Sequence, residues 1–90
     1  MSDEEARRLR NSRHYCTDRL VEVKGELARV QAEDIELKSK LNDVEEAEAG
    51  QIRRRRRYLS RRLNELKAER AALAAELQES TDKLRMMNEA

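Results

Sequence analysis

The sequence predicts an all-α fold, in which a long coiled-coil helix pairs in antiparallel orientation about Gly50. All eleven leucines fall on one seam whose steps alternate four and three residues, which is the spacing of coiled-coil positions a and d. Charged residues make up 43% of the chain and aromatic residues 2%, and there is no proline. Ala, Leu, Glu, Lys and Arg dominate, which is typical of long helices and unlike a globular domain.

The seam predicts that this chain lies against another helix. Its members are the hydrophobic residues Leu20, Leu27, Leu37, Leu41, Leu59, Leu63, Leu66, Leu73 and Leu77, together with the charged residues Asp34 and Arg70. A single helix cannot remove such a stripe from water, so we predict that these residues bind a partner helix. That helix can belong to the same chain or to another protein.

The first predicted element is an acidic helical half, residues 1–47. It begins with a capping box, in which Ser2 is followed three residues later by Glu5. Asp3 and Glu4 add negative charge where the helix dipole favours it. Residues 1–50 hold nine Lys and Arg against thirteen Asp and Glu, which favours a basic neighbour.

The second predicted element is the centre, residues 48–52, which contains Gly50. The heptad phase slips by one residue here, from position a at Glu48 to position a at Arg56. Either a continuous helix carries one extra residue at a flexible glycine, or the chain turns back as a helical hairpin. A turn at Gly50 would place acidic residues at a helix C-terminus and the run Arg53–Arg57 at an N-terminus, and both oppose the helix dipole. The sequence therefore favours the continuous helix, with the hairpin as the alternative.

The third predicted element is a basic helical half, residues 53–90. Residues 51–90 hold eleven Lys and Arg against six Asp and Glu, so the two halves are electrostatic complements. Antiparallel pairing places Asp34 one layer from Arg70, whereas a parallel homodimer would stack like charges on each other. We therefore predict the antiparallel arrangement, although it brings Glu33 near Glu69 at exposed g positions.

A second row of small and apolar residues lies away from the seam. It consists of Val21, Gly25, Ala28, Ala32 and Ile35, at the outer b and f positions. Small side chains let another helix approach closely, although alanine is also a general helix former. Val21 and Ile35 fit the role of helix filler less well, because apolar residues are depleted at solvent positions of a coiled coil. The row is a candidate second docking face.

The run Arg53–Arg57, joined by Arg61 and Arg62, is the sharpest local charge feature. Five consecutive helical residues point in all directions, but Arg54, Arg57 and Arg61 share an outer face. These three are a candidate anion contact, for example to the phosphate backbone of nucleic acid. No aromatic residue stands within the run for base stacking, which favours a solvated run that neutralises acidic protein.

The sequence contains no catalytic constellation. His14 is the only histidine, and it points away from Cys16, the only cysteine, so the two do not chelate one metal. We expect no enzymatic activity, no cofactor, no metal and no small-molecule substrate. Cys16 falls at a d position and is predicted to be a buried core residue, with an interchain disulfide as the alternative. There is no apolar run long enough for a membrane span, and a single cysteine fits a reducing, intracellular compartment.

These features predict a non-catalytic coiled-coil subunit of a larger intracellular assembly, acting as a strut, spacer or adaptor between helical protein partners. The alternative is a helical hairpin or dimer that binds nucleic acid through the basic cluster Arg53–Arg62. In the continuous case a helical partner is obligatory, because the seam would otherwise remain in water.

Overall fold

The structure, a computed structural model, describes residues 2–89 as two helices in an antiparallel hairpin. Helix α1 spans Asp3–Lys40 and helix α2 spans Glu46–Glu89. The hairpin measures 66 × 14 × 14 Å, and the 44 residues of α2 at about 1.5 Å each account for its full length. The equal short dimensions agree with two helices that wind around each other, as the heptad spacing requires. The prediction of an all-α, antiparallel fold is confirmed.

Helix α1 begins where the capping box predicts. The backbone of Ser2 is extended, and its side-chain oxygen accepts a hydrogen bond from the backbone N–H of Glu5 at 3.2 Å. The first turn is acidic and the last turn holds Lys38 and Lys40, so both ends suit the helix dipole. The N–H of Leu41 then bonds the carbonyl oxygen of Lys38 at 3.4 Å, and the helix ends.

The chain turns over residues 41–45, so the continuous helix favoured by the sequence is wrong and the alternative, a hairpin, is present. Gly50 lies inside α2 and has no positive φ. A turn at 41–45 places a basic last turn on α1 and an acidic first turn on α2, and both agree with the helix dipole. Asn42 and Asp43 are residue types that turns favour. The phase slip of one residue follows from the turn, because each helix keeps its own heptad frame.

The leucine seam is buried between the two helices. The buried core cluster consists of Cys16, Val23 and Leu27 of α1 with Leu66 and Leu73 of α2, and the half-buried residues Leu20, Val30, Leu63 and Leu77 pack against it. Leu59 continues the buried seam toward the turn, where Leu37 and Leu41 are half-buried. The seam thus finds its neighbouring helix within the chain itself. Its removal from water is the main stabilising contribution to the hairpin.

The register of the two helices differs from pairing about Gly50. The ion pairs that cross the hairpin are Arg19–Glu69, Arg62–Glu26 and Arg55–Glu33, and they are symmetric about Val44. The predicted proximity of Asp34 to Arg70 is therefore wrong. Asp34 instead accepts a hydrogen bond from Nε of Arg56 at 2.9 Å, and Arg70 is exposed. The physical reason is the position of the turn, since moving it shifts every pair across the seam.

Candidate interaction surfaces

One side of the hairpin carries the ion pairs that join the two helices. These pairs are Arg19–Glu69, Arg62–Glu26 and Arg55–Glu33, and all six residues occupy heptad position g. Arg19 binds both carboxylate oxygens of Glu69, at 2.7 and 3.1 Å. Arg55 binds both oxygens of Glu33, at 2.6 and 3.0 Å. We call this side, made of positions g and c of both helices, the ion-pair face.

The ion pairs change the titration of the groups that form them. Hydrogen bonds from Arg55 hold the pKa of the Glu33 carboxyl below its usual value, and those from Arg19 do the same for the pKa of Glu69. The same hydrogen bonds raise the pKa of Arg55 and of Arg19. A hydrogen bond to Glu22 of the same helix contributes further to the raised pKa of Arg19. All four groups are therefore ionised at neutral pH.

Pairing about Gly50, the register that the sequence predicts, does not bring these residues together. In that register Glu33 lies near Glu69, which has the same charge. The signal that would have found the correct register is charge complementarity along the g positions. Symmetry about Val44 also brings Glu5 toward Lys83, and these two residues line one surface depression near the open end of the hairpin.

The opposite side of the hairpin carries heptad positions e and b of both helices. Their first members at position e are Asp3 in α1 and Glu46 in α2. After these two, the rows run from residue 7 to residue 38 and from residue 50 to residue 88. Within these limits they hold no Asp or Glu, and they hold eight basic residues, Arg7, Arg10, Lys24, Lys38, Arg53, Arg57, Lys67 and Arg85. Among residues 2–89, only Arg53 of this set forms an ion pair, with Glu46 at 3.0 Å. We call this side the acid-free face.

A shallow groove runs between the helices on the acid-free face. Its lining consists of Val30, Gln31, Asp34, Ile35, Leu59, Ser60 and Leu63. Asp34 belongs to the seam and not to the e and b rows, and its carboxylate is paired with Arg56. Gln31 and Ser60, both at position e, therefore lie across the seam from each other. One heptad along the hairpin, the same register places Lys24 opposite Lys67. Like charges thus face each other here, in contrast to the opposite charges on the ion-pair face.

The predicted second docking face overlaps the acid-free face. Val21, Ala28 and Ile35 occupy position b of α1, while Gly25 and Ala32 occupy the adjoining position f. Val21 is 68% exposed and Ile35 is 69% exposed, although the hairpin has buried its own seam. The folded hairpin therefore leaves most of each of these two β-branched side chains exposed to water.

The predicted anion contact lies at the edge of the acid-free face. Arg54, Arg57 and Arg61 line a surface depression together with Ser60. None of these three arginines forms an ion pair with a carboxylate of residues 2–89. The other members of the basic cluster are bound within the chain: Arg53, Arg55 and Arg56 each form one ion pair, and Arg62 forms two. The hairpin thus divides the cluster into arginines bound within the chain and arginines that face outward.

A small polar cluster interrupts the seam near the open end of the hairpin. Ser80 is buried, its hydroxyl donates to the hydroxyl oxygen of Ser12 at 3.3 Å, and Ser12 donates to the carboxylate of Glu76 at 3.2 Å. Cys16 lies beside them with 0% of its surface exposed, so its predicted place in the core is confirmed. Burial, reinforced by the charge of Glu76, raises the pKa of the Cys16 thiol. An interchain disulfide, the alternative for Cys16, would require the helices to separate.

The part of the chain that the structure describes provides neither a metal site nor a membrane-spanning segment. Within residues 2–89, no group of three or more His, Cys, Asp or Glu side chains is arranged to hold a metal ion. Neither helix, over its described residues, has the length of apolar sequence needed to cross a membrane. Comparison with known proteins finds no matching family model, curated protein or solved structure. The outer faces of the hairpin are the candidate functional surfaces.

Proposed function

We propose that the protein is a non-catalytic coiled-coil adaptor that acts as a strut between protein partners in a larger intracellular assembly. The observation that carries this proposal is the exposure of Val21 and Ile35, at 68% and 69%, on a hairpin whose seam is already closed. The two side chains lie two heptads apart on one row. Apolar side chains repeated at this spacing suit the packing of a further helix.

The shape of the hairpin suits the role of a strut. Its two helices support each other along a rod 66 Å long. Because the helices are antiparallel, the start of α1 and the end of α2 lie at one end of the rod and the turn at 41–45 lies at the other. A partner bound near the turn and one bound near the chain ends would be held at a distance close to the length of the rod. This is about half the span that a continuous helix of the same chain would provide.

The adaptor function can be tested in cells that produce the chain at its natural level. Gel filtration of the extract should place the chain in complexes far larger than its own 10.6 kDa. Ala28→Glu, on the exposed b row, should move the chain toward its own mass. Ala72→Glu makes the same change on the ion-pair face and should not. A wild-type chain that elutes as the free hairpin at physiological salt would contradict the proposal.

A second candidate function is nucleic-acid binding through the basic cluster Arg53–Arg62. It is supported by Arg54, Arg57 and Arg61, which lie together and form no ion pair with described carboxylates. Binding of this kind depends on neutralising phosphates, so the affinity for any duplex or single strand should fall steeply with salt. Replacing the three arginines by glutamine should abolish the binding. No binding at low salt would remove this candidate.

A further inference from the structure

The two long sides of the hairpin differ in charge in a way that its own stability does not require. On the ion-pair face, opposite charges meet across the helices, whereas the acid-free face repeats one sign along both of them. Lys24 opposite Lys67 even opposes pairing slightly. We propose that the acid-free face binds an acidic amphipathic helix of a partner protein, which packs on α1 and α2 as the third helix of a bundle. This proposal rests on the adaptor function and specifies the class of its partner.

The middle of the acid-free face offers an apolar strip to such a helix. Val21, Ala28 and Ile35 follow each other at position b of α1, over about 21 Å at 1.5 Å per residue. Ile35 also lines the groove between the helices, beside the half-buried Leu63 and the carboxylate of Asp34, which is paired with Arg56. A helix lying along this groove would cover the exposed side chains of Val21 and Ile35. The small side chain of Ala28 between them allows its backbone to come close.

Basic residues border this strip on both helices. Lys24 and Lys38 stand on α1, and Arg57 and Lys67 stand on α2. None of the four forms an ion pair with a carboxylate of residues 2–89, so they are available to an incoming chain. A helix with apolar residues toward the strip and Asp or Glu toward the seam and α2 would meet these four basic residues. The partner is therefore expected to be both acidic and amphipathic.

Other occupants match only part of this surface. A second copy of the hairpin would bring two acid-free faces together, and eight basic residues on each would repel. The phosphate backbone of nucleic acid would match the charges but would leave Val21 and Ile35 without an apolar neighbour. An acidic amphipathic helix matches both the charge and the apolar strip.

The proposal can be tested with the purified full chain and a synthetic probe. The probe is a fluorescein-labelled helix of four heptads with leucine at positions a and d and glutamate at e and g, so that repulsion keeps it from pairing with itself. A twin probe carries lysine in place of every glutamate. Fluorescence anisotropy at physiological salt should show binding of the glutamate probe and none of the lysine twin. Added salt should weaken the complex without abolishing it, because the apolar contacts remain.

Variants of the apolar strip locate the probe on the hairpin. Val21→Ser combined with Ile35→Ser should weaken binding by about tenfold or more, because both side chains would be buried in the complex. The matched control is Tyr15→Ser combined with Met86→Ser. It removes side chains that are 62% and 68% exposed on the ion-pair face, and it should leave the affinity within about twofold of wild type.

A charge variant tests the basic border. Lys24→Glu should weaken binding of the glutamate probe severalfold and strengthen binding of the lysine twin. The hairpin should remain folded, because this change places an opposite charge instead of a like charge across from Lys67. Arg29→Glu makes an equivalent change at position c on the ion-pair face and should leave both affinities unchanged. Circular dichroism verifies that every variant is folded.

The outcomes separate this proposal from the adaptor function. The proposal is overturned if the glutamate probe does not bind, or if variants of both faces lose affinity for it equally. The adaptor function still stands in that case if the native chain elutes in large complexes. If the hairpin binds a DNA duplex but not the glutamate probe, the basic residues are assigned to nucleic-acid binding. This result also overturns the proposal. If the purified chain binds the glutamate probe but the native chain elutes from extracts as the free hairpin, two conclusions follow. The binding of an acidic helix by the acid-free face is supported, and the adaptor function is contradicted.

Discussion

Arg19 and Glu69 form a two-point ion pair across the hairpin, with Nε of Arg19 2.7 Å from Oε1 and Nη2 3.1 Å from Oε2 of the carboxylate. Arg19 also reaches Glu22 of its own helix at 3.0 Å. The planar guanidinium of Arg19 matches the carboxylate in orientation as well as in charge. A one-heptad slide would break the contact. The pair therefore helps to set the register of α1 against α2.

We expect reversal of one partner of this pair to destabilise the hairpin. Glu69→Arg should lower the Tm measured by circular dichroism, because Arg19 would then face a like charge. Adding Arg19→Glu restores the opposite charges and should recover most of the loss. Glu65→Arg is the control, since Glu65 pairs only within α2, and its effect should be smaller. A charge swap that recovers nothing would show that this pair does not contribute to the register.

Gly50→Ala should stabilise the hairpin. Gly50 has no positive φ, and a Cβ at this position would meet nothing within 4 Å, so the substitution relieves only the entropic cost of glycine. The expected gain is about 1 kcal/mol in the free energy of unfolding, measured by urea denaturation. Gly25→Ala is a second test, since its Cβ would make an ordinary 3.6 Å contact with Arg29. A loss of stability at Gly50 would contradict its place inside a helix.

Leu66→Ala should be among the most damaging single substitutions in the chain. Leu66 is 0% exposed and belongs to the central core cluster, so truncation leaves a cavity between the helices. The expected cost is about 2–5 kcal/mol, a large part of the stability of a small domain. Leu77→Ala, at a half-buried position of the same seam, should cost less. Equal urea midpoints for the two variants would contradict the burial pattern.

The hairpin should lose stability on acidification. The pKa values of Glu33 and Glu69 lie below their ordinary value of 4.5 in the folded hairpin, chiefly because Arg55 and Arg19 donate hydrogen bonds to them. A lowered folded-state pKa means that the stabilisation is fully present above pH 4.5 and is lost as the pH falls below it. The Tm should therefore decrease as the pH is lowered below 4.5. The decrease should be smaller in the double variant Glu33→Gln with Glu69→Gln. An unchanged Tm on acidification of wild type would contradict this prediction.

Cys16 should react slowly with thiol reagents while the hairpin is folded. Its side chain is enclosed, and its raised pKa reduces the fraction of reactive thiolate. The rate of labelling by a colorimetric disulfide reagent should increase steeply across the urea unfolding transition. If Cys16 is labelled in native buffer as fast as a small free thiol, the helices separate around Cys16 and the prediction is contradicted.

The candidate surface could be predicted from the sequence only in part. Val21, Ala28 and Ile35 follow from the heptad spacing of α1, because position b depends on that helix alone. The acid-free face also needs the register of α2, since its like-charged pair of Lys24 and Lys67 comes from both helices. Nothing within either helix indicates which of its basic residues are neutralised by the other one.

The helical class, the cap at Ser2 and the leucine seam follow from the amino-acid sequence, because each depends on side chains within one or two helical turns. The heptad pattern does not indicate the turn at 41–45, because the apolar side chains of Leu41 and Val44 continue the pattern through it. The folded hairpin was needed to show which residues meet, such as Glu33 with Arg55 and not with Glu69. The physical reason is that alternative registers bury much the same leucines. Many weak charge contacts between residues distant in the chain then determine which register has the lowest free energy.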